Sequence, residues 1–406
     1  MRKRFLLASL FIAGCGSGST SPTPDGGGGG LCVKTQTQFD QVCLTAPTVA
    51  AARTQCGDVT EFCDKTGITK PNLDCLAAAP KMRPAMPATV TLVGYIHPFS
   101  GGGTPSGITM KIYKAADLLV AGADPAKVTP VVPPVDVSFD PATANDPTTF
   151  RICDLNPTTG CIQVTPAACL NPVCNDGLSG RPDDKDYCIT VAGKGTCVPY
   201  DTDKKTGRLR FEPRFSIPNV PTNTQLVIRT GETDGKTTNW AVMYTWNVFL
   251  ATDDKACADA NSTDCLNPDG TYQLNANLLA QQDYINIPTV AGLSSGIGPG
   301  NSAVAGEVHD CDDIRVGNVQ VGVTPEGDRF TYFNGNPYDT KPDSSRITSG
   351  TDRLGLYSSL NIVPGPVIVE AAALVDGKVV PAGKLNAVLF PDSVGVLNIN
   401  GGKPQQ

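Results

Sequence analysis

Val304-Ala305-Gly306-Glu307-Val308-His309 repeats the pattern of Leu92-Val93-Gly94-Tyr95-Ile96-His97: two apolar residues, a glycine, one free position, a β-branched residue, a histidine. Each hexapeptide is followed about ten residues later by a glycine and an alternating segment, Gly107–Tyr113 in the first case and Gly317–Thr324 in the second. Alternation with period two is the mark of a strand with one face buried. The chain therefore contains one β-rich unit written twice. His97 and His309 occupy the same place in the two copies. Two readings stand for them: a pair of ligands, or strand-end histidines each satisfied by a loop carbonyl. The second follows if the copies fold as separate units.

The surrounding sequence agrees with an all-β chain. Pro 34 and Gly 42, with few charged residues, argue against long helices and for short strands joined by turns. Strands are predicted at Arg208–Ile217, Gln225–Thr230 and Asn239–Ala251. In the last of these, Trp240, Val242, Tyr244, Trp246 and Val248 share one face by the two-residue period. Trp240, Tyr244 and Trp246 are thus candidates for an aromatic platform on which sugar rings stack. The competing reading, sandwich core, is the commoner fate of an aromatic strand face. Leu274–Tyr284 suits a brief helix packed on the sandwich. Residues 115–206, with Pro130, Pro133 and Pro134 and then six cysteines, read as a long insertion in the first unit.

The second unit resembles the carboxypeptidase regulatory-like domain, a transthyretin-like β-sandwich. The resemblance rests on Val304–Asp310, Gly317–Thr324, Thr351-Asp352-Arg353-Leu354-Gly355-Leu356-Tyr357 and Asn361-Ile362-Val363-Pro364-Gly365. The first unit matches through Gly94, Ile108–Tyr113 and Phe215-Ser216-Ile217-Pro218-Asn219-Val220-Pro221. It implies two transthyretin-like β-sandwiches in tandem, the first with the cysteine-rich insertion, and a non-catalytic accessory role without a cofactor. The resulting organisation is a signal peptide over 1–14, a linker over 15–30 and a small disulfide-rich N-terminal cap over 31–85. The first sandwich then covers 86–290, a linker 291–301, the second sandwich 302–400 and a tail 401–406.

The chain has 15 cysteines. Setting Cys15 aside leaves an even number, which in an exported protein reads as disulfides. No Cys-x-x-Cys occurs and His97 and His309 are the sole histidines, so a zinc site is not predicted. Cys32, Cys43, Cys56, Cys63 and Cys75 belong to the cap. Cys153, Cys161, Cys169, Cys174, Cys188 and Cys197 suit a self-contained knot in the insertion. Cys257 and Cys265 close a short loop. That leaves Cys311 and one cysteine of the cap, whose pairing would staple the N-terminal segment to the second sandwich.

The N-terminus carries Arg2, Lys3 and Arg4, then an apolar run from Phe5 to Ala13, then Ile12-Ala13-Gly14-Cys15. The apolar run is far short of the ~20 residues a spanning helix needs and reads as a secretory signal. Ile12-Ala13-Gly14-Cys15 resembles a bacterial lipobox. That resemblance implies cleavage before Cys15, attachment of diacylglycerol to its thiol and, with Gly16 next, export to the outer membrane. The Gly-, Ser- and Pro-rich residues 16–30 form a flexible tether with a reach of about 20 Å.

Several function classes fall away. The precursor holds 32 Lys+Arg against 39 Asp+Glu, and Arg2, Lys3 and Arg4 leave with the signal, so the body is acidic and no nucleic-acid partner is expected. Gly101–Gly107 lacks the Gly-Lys-Ser/Thr of a phosphate loop. Gly292-Leu293-Ser294-Ser295-Gly296 matches the nucleophile-elbow pattern of serine hydrolases, but Gly298, Pro299 and Gly300 forbid the helix that must follow. Asp310, Asp312 and Asp313 flank Cys311 and read either as a cation cluster or as a solvated loop. The sequence thus points to a non-catalytic envelope lipoprotein whose partners are the membrane, through its lipid, and an envelope protein. A glycan is the alternative partner, and a hydrolase acting through Ser294 or Ser295 comes a distant third.

Overall fold

A computed structural model describes residues 71–77, 87–99, 107–137, 209–232, 239–251, 257, 264–311 and 315–400, with brief breaks inside some runs. It also describes the strand pairs 31–33 with 42–44, 150–154 with 161–162, and 187–191 with 194–198. The fold is all-β. Among the described residues the α-helices are Asp74–Ala77 (α1), Ala115–Leu118 (α2) and Gln281–Val290 (α3).

The first half contributes Thr89–Pro98 (β1), Ile108–Lys114 (β2), Leu209–Pro221 (β3), Gln225–Thr230 (β4), Trp240–Phe249 (β5), Tyr272–Gln273 (β6) and Ala276–Ala280 (β7). One sheet is β6 and β7 beside β1 beside β3, and the other is β2-β4-β5. The two sheets close over Leu92, Ile96, Ile108, Met110, Ile112, Ile217, Leu226 and Ile228. The second half contributes Ser302–His309 (β8), Gln320–Thr324 (β9), Arg329–Phe333 (β10), Leu356–Ile362 (β11), Gly365–Val375 (β12), Lys378–Leu389 (β13), Ser393–Val396 (β14) and Ile399–Asn400 (β15). Its sheets are β14 and β15 beside β8 beside β11 beside β10, and β9-β12-β13.

The two halves share topology and register. Phe215 of β3 stands opposite Gly94 of β1, and Tyr357 of β11 opposite Gly306 of β8. Ile228 of β4 faces Ile112 of β2, and Val369 of β12 faces Val323 of β9. Asn219 and Asn361, each four residues past that aromatic, both take a left-handed backbone at φ 61. The repeated glycines have a common cause. A Cβ on Gly94 would lie 1.9 Å from the Leu274 carbonyl oxygen, and one on Gly306 2.1 Å from that of Leu397. In each half the parallel neighbour crosses the first strand at this point, and only a residue without a side chain lets it pass.

The halves are joined through a sheet. β5 pairs in parallel with β14, Val242 opposite Ser393 and Thr245 opposite Val396. Since β14 also pairs with β8, one sheet runs β2-β4-β5-β14-β8-β11-β10 across both units. Its faces follow the two-residue period. Ile112 and Ile228 turn toward the first core, whereas Tyr113, Val227, Tyr244 and Trp246 turn toward the core of β9-β12-β13. Beneath α3, Ala241, Met243, Ala303, Leu360 and Val394 seal the junction. Each large apolar side chain buried there contributes about 1.5–3 kcal/mol. Residues 291–301, read as a linker, form turns that bind back. Gly298 N–H donates to Asn361 Oδ1 at 2.7 Å and Gly300 N–H to Asp392 Oδ1 at 2.7 Å.

Two local expectations change. The helix predicted over Leu274–Tyr284 begins only at Gln281, because Ala276–Leu278 pairs with Ile96–Pro98 and Leu279–Ala280 with Ala241 and Trp240. Two open strand edges outweigh local helix preference here. The single face predicted for β5 is split. Val242, Tyr244 and Trp246 turn to the second core, and Trp240 and Val248 to the first. A bulge shifts the β4–β5 register between Leu226 and Ile228, with Asn247 at φ 58.

Candidate functional site

Of the two readings of the aromatic strand face, the sandwich core holds and the sugar platform does not. Trp240, Tyr244 and Trp246 are 5%, 5% and 2% exposed, and Tyr244 packs on Phe390 with ring centroids 4.7 Å apart. Stacking on a sugar needs an open ring face, and the sheet β9-β12-β13 on one side and β1-β3 on the other leave these rings none. The correction follows from both faces of β2-β4-β5 being covered, which a one-sided alternation does not foretell.

The polar groups of interest gather at the end of β8. Ala303, Ala305, Glu307 and His309 alternate onto one face of this strand. Glu307 accepts from Arg315 Nε at 2.9 Å and Nη2 at 3.1 Å, and its Oε2 lies 2.8 Å from His309 Nε2. Burial alone would raise the Glu307 carboxyl, but the Arg315 guanidinium and His309 overcome it and hold it well below the usual carboxylate range. His97 also pairs with a glutamate, but with one on β3, its Nδ1 lying 2.8 Å from Oε1 of the fully buried Glu212. The two histidines thus engage separate glutamates.

Directly after His309 the chain meets the N-terminal segment. Asp310 is fully buried and accepts the Asn72 N–H through Oδ2 at 2.9 Å. Cys311 N–H donates to the Asn72 carbonyl at 2.8 Å. Cys311 is bonded to Cys75, and Cys257 to Cys265. The cysteine count leaves Cys311 to one of the five cap cysteines, and the structure makes that one Cys75; the short-loop pairing is the one expected. Pro71 is buried and Leu73 packs against the second core. Asp310 therefore acts as a docking acceptor for backbone. No group of three or more metal-ligating side chains gathers among the described residues. Asp312 and Asp313 lie outside them, as do Cys15, Cys56, Cys63, Cys169 and Cys174.

On the same face of β8, Ala303 and Ala305 line an apolar hollow under α3 with about 540 Å³ of empty space, part of it open to solvent. Phe99, Met243, Leu279, Ile287 and Leu360 complete its walls, and Asp283 and Tyr284 stand among them. Burial, then the Asp392 carboxylate, push the Tyr284 phenol up to about 12. Phe99, from the loop after β1, meets Phe333 edge-on at 6.2 Å, so both units build this wall.

Ser294 and Ser295 are exposed on a turn that follows α3, with Gly296 N–H donating to the Leu293 carbonyl at 2.9 Å. A nucleophile elbow needs a strand before the serine and a helix after it. Here a helix precedes and turns follow. The repeat singled out His309 but neither Glu307 nor Arg315, and Arg315 comes to them as the chain bridges back from His309 to Arg315. Asn72 carried no signal, since its part is played by its backbone.

No protein-family model matches this chain, and no curated protein sequence does.

Proposed function

We propose that this is a lipid-anchored protein of the bacterial cell envelope, held at the outer membrane by a diacylglycerol on Cys15. Its body serves as a non-catalytic structural or protein-interaction module built from two transthyretin-like sandwiches of the carboxypeptidase regulatory-like kind. The observation that carries this reading is the repeated register: Phe215 on Gly94 and Tyr357 on Gly306, each glycine crossed by a neighbouring carbonyl. A duplicated sandwich welded through β5 and β14 is a stiff body with sheet edges for a partner strand. The lipobox Ile12-Ala13-Gly14-Cys15 supports the anchor. The glycan alternative loses the surface it relied on, since Trp240, Tyr244 and Trp246 are buried.

Two measurements test the proposal. Cells fed a labelled fatty acid should label the wild-type protein and not Cys15→Ser, and equal labelling would overturn the anchor. In-cell cross-linking followed by mass spectrometry should recover one envelope protein in stoichiometric amounts. Recovery of this chain alone would refute the interaction role.

A further inference from the structure

The Cys75–Cys311 bond joins segments 236 residues apart. We propose that it is a redox-operated clasp: a dithiol opens it, and the strap Pro71–Cys75 then leaves the second sandwich while both sandwiches stay folded. The clasp does not depend on where the protein is anchored or on what it binds.

Four features support it. Both sulfurs of the clasp belong to half-buried residues, whereas the other bond offers one such residue, Cys257, its partner Cys265 being 5% exposed, so the clasp presents a thiol with two points of entry against one. Cys257 and Cys265 are 8 residues apart and stay neighbours after reduction, whereas Cys75 and Cys311, 236 residues apart, then depend on the non-covalent contacts of the N-terminal segment with the second sandwich. In the strap those contacts come from one short segment: buried Pro71, Asn72 with Asp310 and Cys311, and Leu73 on the core. Finally, residues 71–77 lend no strand to either sandwich, so both sheets of each unit are complete without them. α1 lies against β13, and opening the clasp uncovers that flank.

The geometry also gives the direction of attack. Cys75 N–H points to Cys311 Sγ at 3.1 Å. A sulfur that receives an N–H bond is the better leaving thiolate. The incoming thiolate therefore bonds to Cys75 Sγ, the S–S bond breaks, and its electron pair departs on Cys311. The second thiolate of the dithiol then attacks its own sulfur in the mixed disulfide. This closes a cyclic disulfide and releases Cys75, so that two electrons and two protons pass to the protein.

The test uses the mature full-length protein. It is treated with graded dithiothreitol, alkylated with iodoacetamide and mapped by mass spectrometry, with hydrogen exchange measured in parallel. Cys75 and Cys311 should be alkylated about tenfold sooner than Cys257 and Cys265. Exchange should then rise over 71–77 and β13 and stay unchanged in the other strands. Simultaneous or reversed reduction, a strap still protected after reduction, or exchange rising through both sandwiches would each overturn the clasp. With glutathione, a monothiol, the trapped adduct should sit on Cys75, and an adduct on Cys311 would refute the assigned polarity. Cys311→Ser should show the open exchange pattern without any reductant, and a closed pattern would count against the proposal.

Discussion

Replacing Asp352 by asparagine should change how the protein's stability depends on pH, and in a direction opposite to most carboxylates. Asp352 is 2% exposed, and its Oδ1 accepts the Leu354 N–H at 2.8 Å and the Leu356 N–H at 3.4 Å. Burial raises its pKa from 3.8 to about 6, against the pull of those donors and the Arg346 charge. Below both values the group is protonated in the folded and unfolded chains alike and costs nothing. Between them the folded protein keeps a proton that the unfolded chain releases, so stability falls as pH rises. Above about 6 the full penalty is present, about 3 kcal/mol at 1.36 kcal/mol per unit. The substituted asparagine carries no charge and no such penalty, and its amide oxygen still accepts the two N–H groups. All other ionisable groups are common to both proteins and cancel in the difference. Thermal unfolding of the wild type and Asp352→Asn should therefore give similar midpoints at pH 4. By pH 7 the variant should lead by roughly 4 °C, from an unfolding entropy of ~2.1 cal/mol/K per residue over a body of about 375 residues. Midpoints that track in parallel from pH 4 to 7, or a variant that loses ground as pH rises, would refute the reasoning.

Glu307 gives the opposite slope. Its folded pKa is depressed, so its contribution is present above about 4.5 and is lost as pH falls; Glu307→Gln should cost about 1.5–3 kcal/mol at pH 7 in chemical denaturation and flatten the acid limb. Gly94→Ala and Gly306→Ala should each destabilise by about 3 kcal/mol or more, since a backbone carbonyl rather than a movable side chain stands 1.9 Å or 2.1 Å from the new Cβ, and unchanged midpoints would contradict the crossing seen there. Emission from Trp240 and Trp246 should be blue-shifted, protected from iodide and unchanged by polysaccharides; a glycan-dependent shift would restore the sugar platform. Non-reduced peptide mapping should join Cys32 to Cys43, Cys153 to Cys161 and Cys188 to Cys197. Each pair stands directly opposite in strand register, where Cα separations of about 4.5–5.5 Å suit a disulfide. Peptides linking these residues in any other combination would show the register to be wrong.

Much of the fold was legible because alternation and repetition are local signals. The hexapeptides around Gly94 and Gly306 revealed the duplication, and Gln225–Thr230 is a strand with the bounds the sequence suggests. What escaped was non-local. The pairing of β5 with β14 joins residues about 150 positions apart, and nothing in Val242–Thr245 or Ser393–Val396 announces a parallel partner. Because that pairing places β5 opposite the sheet β9-β12-β13, it also decided the fate of Tyr244 and Trp246. Ala276–Ala280 reads as helix by propensity and became strand because two edges needed closing. At the candidate site, repetition marked His309, and parity of the cysteine count marked Cys311. Asn72 was invisible, because a backbone donor leaves no trace in residue type.

The Cys75–Cys311 bond also decides where a mechanical load would travel. A pull on the chain ahead of Cys75 crosses the sulfur bridge and enters the protein at Cys311, beside the end of β8. The first sandwich and its insertion, although next in sequence, lie on a slack branch that carries no tension. Some 236 residues of contour, about 800 Å if drawn straight, are withheld from extension as long as the bridge is intact. Under force the second sandwich would be the element that yields, and the first would act as a passenger borne on its flank.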